Sequence, residues 1–348
     1  MKNRKLQYLF ITSFFLSILA QFLGPKVNFM RLILKAKYHN IPLTIEQLHN
    51  ANKYPPNIQT TDITDLFFID LNLGSMLNYP LFNKECINEK LLMKKGEVQF
   101  EIIKQLPLDK PFTIDRAVCH SIKFNGSIIE YLNEREKILR KKVTSLMTLA
   151  NIHLDKAIIN NDKKLALKLI KFQVLLLEFE CRFNRGCNGE NIKNIFAPSF
   201  EKFLSLKIIQ KDNVAQLIKL LKQLRNSNFF SRKSMFYSNI IMFSSTLKKD
   251  LRLTKNTYMY VNYPLIFRYE GLQRVKNQEL SRFIDLTLFL KEEYSSENYY
   301  KFAENTFKER NKEIINPATN VATAYSMGYN FELDSLLDNY IERLKLLK

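Results

Sequence analysis

The sequence predicts a mainly α protein. A single N-terminal membrane helix is followed by a helical-bundle domain with a central αα-hairpin and little or no strand. Three observations lead there. Residues 6–23, LQYLFITSFFLSILAQFL, carry no charge. Glycine is scarce, 8 in 348 residues, which argues against a β-rich barrel or sandwich and against Gly-rich phosphate loops. From residue 127 to residue 183, apolar residues recur at spacings of three and four with one polar break at Asn160-Asn161-Asp162.

The apolar run comes first. As a helix, Leu6 to Leu23 rises about 27 Å, just short of a hydrocarbon core of about 30 Å. That is long for the apolar part of a signal peptide. Cleavage needs small residues one and three positions before the cut. Ala20 and Ile18 precede Gln21, and Gly24 and Phe22 precede Pro25, so neither bond fits. No cysteine follows directly, so a lipoprotein anchor is not indicated. The run is read as an uncleaved signal-anchor, ahead of a cleaved signal and of a buried core helix. Lys2, Arg4 and Lys5 lie before it; Lys26, Arg31, Lys35 and Lys37 lie after it. The positive-inside rule therefore nearly cancels. The short basic leader favours the cytoplasm and places the domain in the periplasm.

The rest divides into an irregular N-terminal subdomain, 25–126, and a helical domain, 127–348. An apolar fraction of 46% is that of a folded protein. The net charge of +19 points to anionic lipid, nucleic acid or another polyanion. The lysines are dispersed, with Arg140-Lys141-Lys142, Lys163-Lys164 and Lys248-Lys249 as the tightest runs. No Arg-rich arm or aromatic–basic repeat is present, so nucleic acid is not expected as a partner. The expected partner is the bilayer, through the N-terminal helix; a protein partner is open.

Taken in order, a helical continuation runs from Pro25 to Tyr38. Thr44 with Gln47 three residues on reads as a capping box, and the helix stops before Tyr54-Pro55-Pro56. Asp62, Asp65 and Asp70 are the only acidic cluster in an apolar setting. They lack the ligand count and glycine turn of a calcium loop and read as caps. A short strand is expected at Val98–Ile103. Ser127, with Glu130, caps a long helix to Asn160. A second helix, Lys163–Phe183, folds back on it because the turn is short. The stretch AIINNDKKLALKLI resembles the inter-helix turn of tetratricopeptide repeats, but no second copy occurs at that period. Residues 184–200 read as a link, followed by helices at Ser199–Ile209, Asn213–Leu224, Ser231–Leu251, Asn277–Tyr294, Ser296–Lys312, Thr319–Met327 with Gly328 as its C-cap, and Glu332–Leu347. A Tyr-rich extended segment is expected around Tyr258–Tyr263.

Four cysteines, Cys86, Cys119, Cys181 and Cys187, fit an oxidising compartment. Cys181 and Cys187 bracket a short loop that a disulfide can staple; Cys86 and Cys119 can form a second bridge. Four buried thiols are the alternative. Neither a paired Cys-x-x-Cys nor a matching His spacing occurs, so no zinc site is expected. No serine-hydrolase elbow, P-loop, Rossmann or His-Glu-x-x-His motif is present. No catalytic, cofactor-binding or metal residue is assigned, and no cofactor is expected. His153 reads as a core histidine. Glu178 and Glu180 are the acids deepest in an apolar stretch, and Glu178 is expected to pair with Arg182.

The anchor followed by His39-Asn40-Ile41-Pro42-Leu43-Thr44, with Asn316-Pro317 and Tyr340-Ile341-Glu342-Arg343-Leu344 near the end, resembles uncharacterised membrane-anchored, all-helical envelope proteins of proteobacteria. The resemblance implies an exported helical domain and transfers no activity. The expected function is a non-enzymatic, membrane-tethered binding or structural module. The alternatives are an enzyme with a motif-free site between 57–125 and the helical domain, and a basic peripheral module for anionic lipid or nucleic acid.

Overall fold

The computed structural model describes residues 2–68, 96–114, 128–184, 187–206, 211–244, 265–292 and 333–347. These are mostly helical. The only strands among them are β1 (Thr61–Asp62) and β2 (Phe112–Thr113), a two-residue parallel pair with Thr61 opposite Phe112. Contacts divide the chain into two compact units, each made of two separate stretches: Met1–Ala51 with Phe236–Ala322, and Asn52–Met235 with Thr323–Lys348.

The first unit is built on α1 (Lys2–Tyr38), one unbroken helix through Pro25. Its C-terminal part packs on α9 (Leu265–Glu292) and buries Leu32 and Ala36. Asn277 donates to the Pro25 carbonyl at 2.6 Å, Lys35 pairs with Asp285 at 2.8 Å, and the Lys276 ammonium lies 4.8 Å from the Phe29 ring centre. Phe283 of α9 meets Phe236 and Phe243. The capping box at α2 (Ile45–Ala51) forms with one change. Gln47 N–H donates to Thr44 Oγ1, but the Gln47 side chain accepts from the N–H of Leu43, one residue earlier than the reciprocal bond requires.

The second unit centres on the expected hairpin. It consists of α5 (Ile128–Ile159) and α6 (Lys163–Phe183), packed along their length. Asn161 turns the chain with φ of 55°, a left-handed conformation that asparagine tolerates. Asp162 caps α6 by accepting from Leu165 N–H at 3.0 Å. Ala157 and Ala166 are buried at the close approach. The residue before Ile128, the expected cap Ser127, lies outside the described residues.

Three local expectations are corrected. Val98–Ile103 is not a strand but part of the helix α4 (Glu97–Gln105). Its buried residues are Gln99, Phe100 and Ile103, a helical spacing, while Val98 faces out. Residues 184–200 are not a plain link. A turn at Gly189–Asn191 leads into a π-helical turn, Ile192–Phe196, and on into α7 (Ala197–Ser205). The Ala197 N–H reaches the Ile192 carbonyl, which widens the helix just ahead of Pro198 and accommodates its ring. Asn213–Leu224 and Ser231 onward form one helix, α8 (Lys211–Ser244). The polar stretch between them holds no Gly or Pro, and its Ser227, Asn228 and Ser231 are buried.

The last helix, α10 (residues 333–345), docks on the core of the second unit as its stripe predicts. Leu333, Leu337, Tyr340, Ile341 and Leu344 are buried. The Tyr340 ring stacks on Phe200 at 4.5 Å between centres, and Arg343 pairs with Glu201 at 2.6 Å. The expected helices at 296–312 and 319–327 and the Tyr-rich stretch at 258–263 lie outside the described residues.

Candidate functional site

Two features are candidates for function: the exposed apolar part of α1, and a polar seam with an adjoining cleft in the second unit.

Along α1, Tyr8, Phe10, Phe14, Phe15 and Leu16 are each more than half exposed, up to 75% at Phe10. Their helix is the one among the described residues that is long and apolar enough to cross a membrane, a property that a signal sequence shares. A surface helix in water shows an apolar stripe on one face only. Here the apolar side chains point outward all round, and Gly24, at the end of this part, has open space about it. Leu23 is also largely exposed, whereas Pro25, two residues on, is buried.

The seam lies around the C-terminal half of α6. Glu178, 3% exposed, accepts from the Tyr54 hydroxyl at 2.5 Å and from Ser227 Oγ of α8 at 2.6 Å. Burial pushes its carboxyl up; the Ser227 and Tyr54 bonds and the Arg182 charge work against that. The same burial and the neighbouring carboxylate push the Tyr54 phenol well above its ordinary value. The Arg182 charge acts on Glu178, and its guanidinium has a further task. It donates to the carbonyls of Asn52 and Lys53, each at 3.0 Å, and lies 3.9 Å over the Tyr54 ring. Asn52 in turn donates to Ser234 at 3.0 Å. Residues 52–54 are thereby pinned to α6 and α8.

Two residues on, and so on the other side of α6, Glu180 accepts from Asn191 Nδ2 at 3.2 Å, and Asn191 accepts from Thr144 of α5 at 2.9 Å. Burial pushes the Glu180 carboxyl up to about 7, against the Asn191 bond and the nearby Arg140. Between these carboxylates and the π-turn stands the disulfide Cys181–Cys187, with Cα atoms 4.3 Å apart. Its Cys187 sulfur lies 3.2 Å from Asn228 Oδ1, a contact without a donated proton since both sulfurs are bonded. Asn228 Nδ2 donates to Asp334 of α10 at 2.9 Å.

Other expected residues find plainer roles. Asp62 Oδ1 accepts from Thr64 N–H at 2.9 Å and starts the short helix α3 (Thr64–Phe68); Asp65 is exposed, and Asp70 lies outside the described residues, as do Cys86 and Cys119. His153 is buried and stacked on Phe100 at 3.4 Å, rings within 9° of parallel, with no hydrogen bond to Nε2 among the described residues. Burial, with the charges of Lys156 and Lys104, lowers its pKa to about 4. The described residues bring no three His, Cys, Asp or Glu side chains together as a metal cluster.

A cleft of about 610 Å³ opens between the end of α4, the N-terminal half of α6 and the end of α7. It falls where a motif-free active site was expected, between 57–125 and the helical domain. Its described lining is leucine, phenylalanine, lysine and one asparagine, with no carboxylate and no histidine. Lys163-Lys164 stands out in the sequence as a tight basic run, whereas its link to Lys168 and Lys171 needs the helical period. The signal was present in the i, i+4, i+7 spacing of Lys164, Lys168 and Lys171, which puts three ammonium groups on one helical face.

No family model, no curated protein and no solved structure matches the chain. The comparisons assign no residue a role.

Proposed function

We propose that the chain is a membrane-tethered, non-enzymatic binding or structural module, anchored by Leu6–Leu23 and carrying its helical domain on the extracytoplasmic side. The observation that carries this is the division of labour within α1. The front of the helix exposes large apolar side chains, Tyr8, Phe10, Phe14, Phe15 and Leu16 among them, a contiguous apolar surface of the kind that marks a membrane or partner contact. The back of the same helix is docked on α9 through Leu32, Ala36 and the Asn277–Pro25 bond. The poor match of the bonds before Gln21 and Pro25 to a cleavage site favours retention. The Cys181–Cys187 disulfide supports an oxidising compartment for the domain.

Two measurements test the reading. An alkaline-phosphatase fusion after Lys348 is expected to be active; an expressed but inactive fusion refutes export. The intact chain is expected to stay with membranes at alkaline carbonate; its release refutes the anchor.

A further inference from the structure

We propose that the cleft between α4, α6 and α7 binds a single-chain anionic amphiphile of the long-chain carboxylate class, its head on the α6 lysines and its chain along Leu167, Phe203 and Leu206. This names a ligand for the binding-module reading but does not rest on the anchor, because every lining residue lies within 52–235.

The cavity volume, about 610 Å³, lies in the range of small-ligand sites. Its apolar part is supplied by three elements: Leu167 from α6, Phe203 and Leu206 at the end of α7, and Leu106 and Leu108 beyond α4. The polar part is almost entirely cationic. Lys163, Lys164, Lys168 and Lys171 line it, with Asn213, and no described carboxylate is among the lining residues. Lys168 donates to the Lys104 carbonyl and Lys171 to Gln216 Oε1. An ammonium has three donors, so each keeps two. Lys163 and Lys164 make no bond to another side chain among the described residues.

The location sharpens the charge argument. Lys163 and Lys164 stand in the first turn of α6, directly after its Asp162 N-cap. That is the positive end of the helix dipole, where cations are disfavoured and anions are stabilised. Lys163, Lys164, Lys168 and Lys171 repel one another along this side of α6. Consistently, desolvation and the Lys164 charge hold the Lys168 ammonium below its ordinary value. A bound carboxylate relieves both terms, and the leucine and phenylalanine surface excludes water from its chain. An acidic peptide fits less well, because the floor presents side-chain carbon where a peptide backbone needs hydrogen-bond partners.

The test uses the full chain in phosphatidylcholine nanodiscs, with a long-chain carboxylate carrying a diazirine as the probe. After photolysis, peptides are mapped. Saturable labelling is expected on the peptides holding Leu167, Phe203 and Leu206. The uncharged alcohol of the same chain should label them about tenfold less at equal concentration, as loss of one good charge contact implies. Lys164→Gln with Lys168→Gln should cut the carboxylate label by a similar factor, while Lys222→Gln on α8 leaves it unchanged. An unaltered far-UV spectrum and an intact Cys181–Cys187 bond show that the double variant folds. Equal labelling by acid and alcohol, a double variant that labels as well as the parent, or no label on these peptides overturns the proposal. So does displacement of the probe by inorganic phosphate or by polyglutamate, which assigns the site to free anions or to acidic peptides. Loss of the anchor reading shows separately, in carbonate extraction.

Discussion

The Tyr54 hydroxyl donates to the Glu178 carboxylate at 2.5 Å across 124 positions of sequence. The bond ties an otherwise irregular segment after α2 to the middle of the second unit's core. With Ser227 on the other side, it surrounds a carboxylate that has left water almost completely.

Tyr54→Phe keeps the ring under Arg182 and removes one donor from a buried carboxylate. The expected loss is about 1–3 kcal/mol of stability, the cost of an unmet buried acceptor. Ser227→Ala should cost a similar amount. The double variant should show non-additive loss, since both act on one group. Denaturant midpoints measure all three. Independent, additive effects would show that the seam does not act as a network.

Glu180 makes stability pH-dependent. Its folded pKa, about 7, lies above the unfolded value near 4.5. The folded state therefore holds the proton longer. The contribution is fully present below about pH 4.5, is lost as pH rises through about 7, and amounts to roughly 3 kcal/mol. Glu180→Gln should remove this decline. A parent and a variant with parallel stability profiles between pH 4.5 and 7 would refute the assignment.

His153 has the opposite sign. Its folded pKa, about 4, lies below the unfolded 6.5. Its contribution is present above about pH 6.5 and is lost as pH falls towards 4. His153→Phe keeps a ring on Phe100 and should flatten the acid limb of the profile. Thermal melts of the two variants across this range separate the opposed slopes.

The disulfide closes a loop with a sequence separation of 6. Chain entropy for so short a loop gives about 2 kcal/mol. Cys181→Ser with Cys187→Ser should lose that much and still fold. In native membranes, maleimide should modify Cys181 and Cys187 only after reduction. Ready labelling of both without reductant would contradict the bond and weaken the case for export.

On α1, Phe14→Arg with Leu16→Arg should cost about 3 kcal/mol per residue for insertion at the centre of a bilayer. The chain should then be extracted by carbonate. Gly24→Ala, where an added Cβ meets nothing within 4 Å, should leave anchoring intact. Retention of the double arginine variant would point to a helix that does not span.

Periodicity made the hairpin legible residue by residue: Lys163–Phe183 is the helix both expected and observed, because the Asn-Asn-Asp turn and Asp162 cap act locally. Periodicity failed at Val98–Ile103, where a partial alternation also satisfied a helix and only the buried partners of Phe100 and Ile103 decided between them. It failed again at 225–230, where serine and asparagine read as a break. There the chain stays helical because Glu178 and Asp334 satisfy Ser227 and Asn228.

By itself, then, the sequence determined what short-range physics controls: the helical class, the turn and caps of the hairpin, the apolar run Leu6–Leu23, the stripe of the last helix, and which two cysteines lie close enough to join. Tertiary structure alone decided what depends on residues distant in the chain. It made two units, each from two separate stretches. It placed Tyr54 and Ser227 on Glu178, and it set Leu106, Leu108, Phe203 and Leu206 beside the lysine side of α6 to make a cleft. A hydrophobic period reports which face of a helix is buried. It carries no information about which distant side chain that face meets, and burial of charge is settled there.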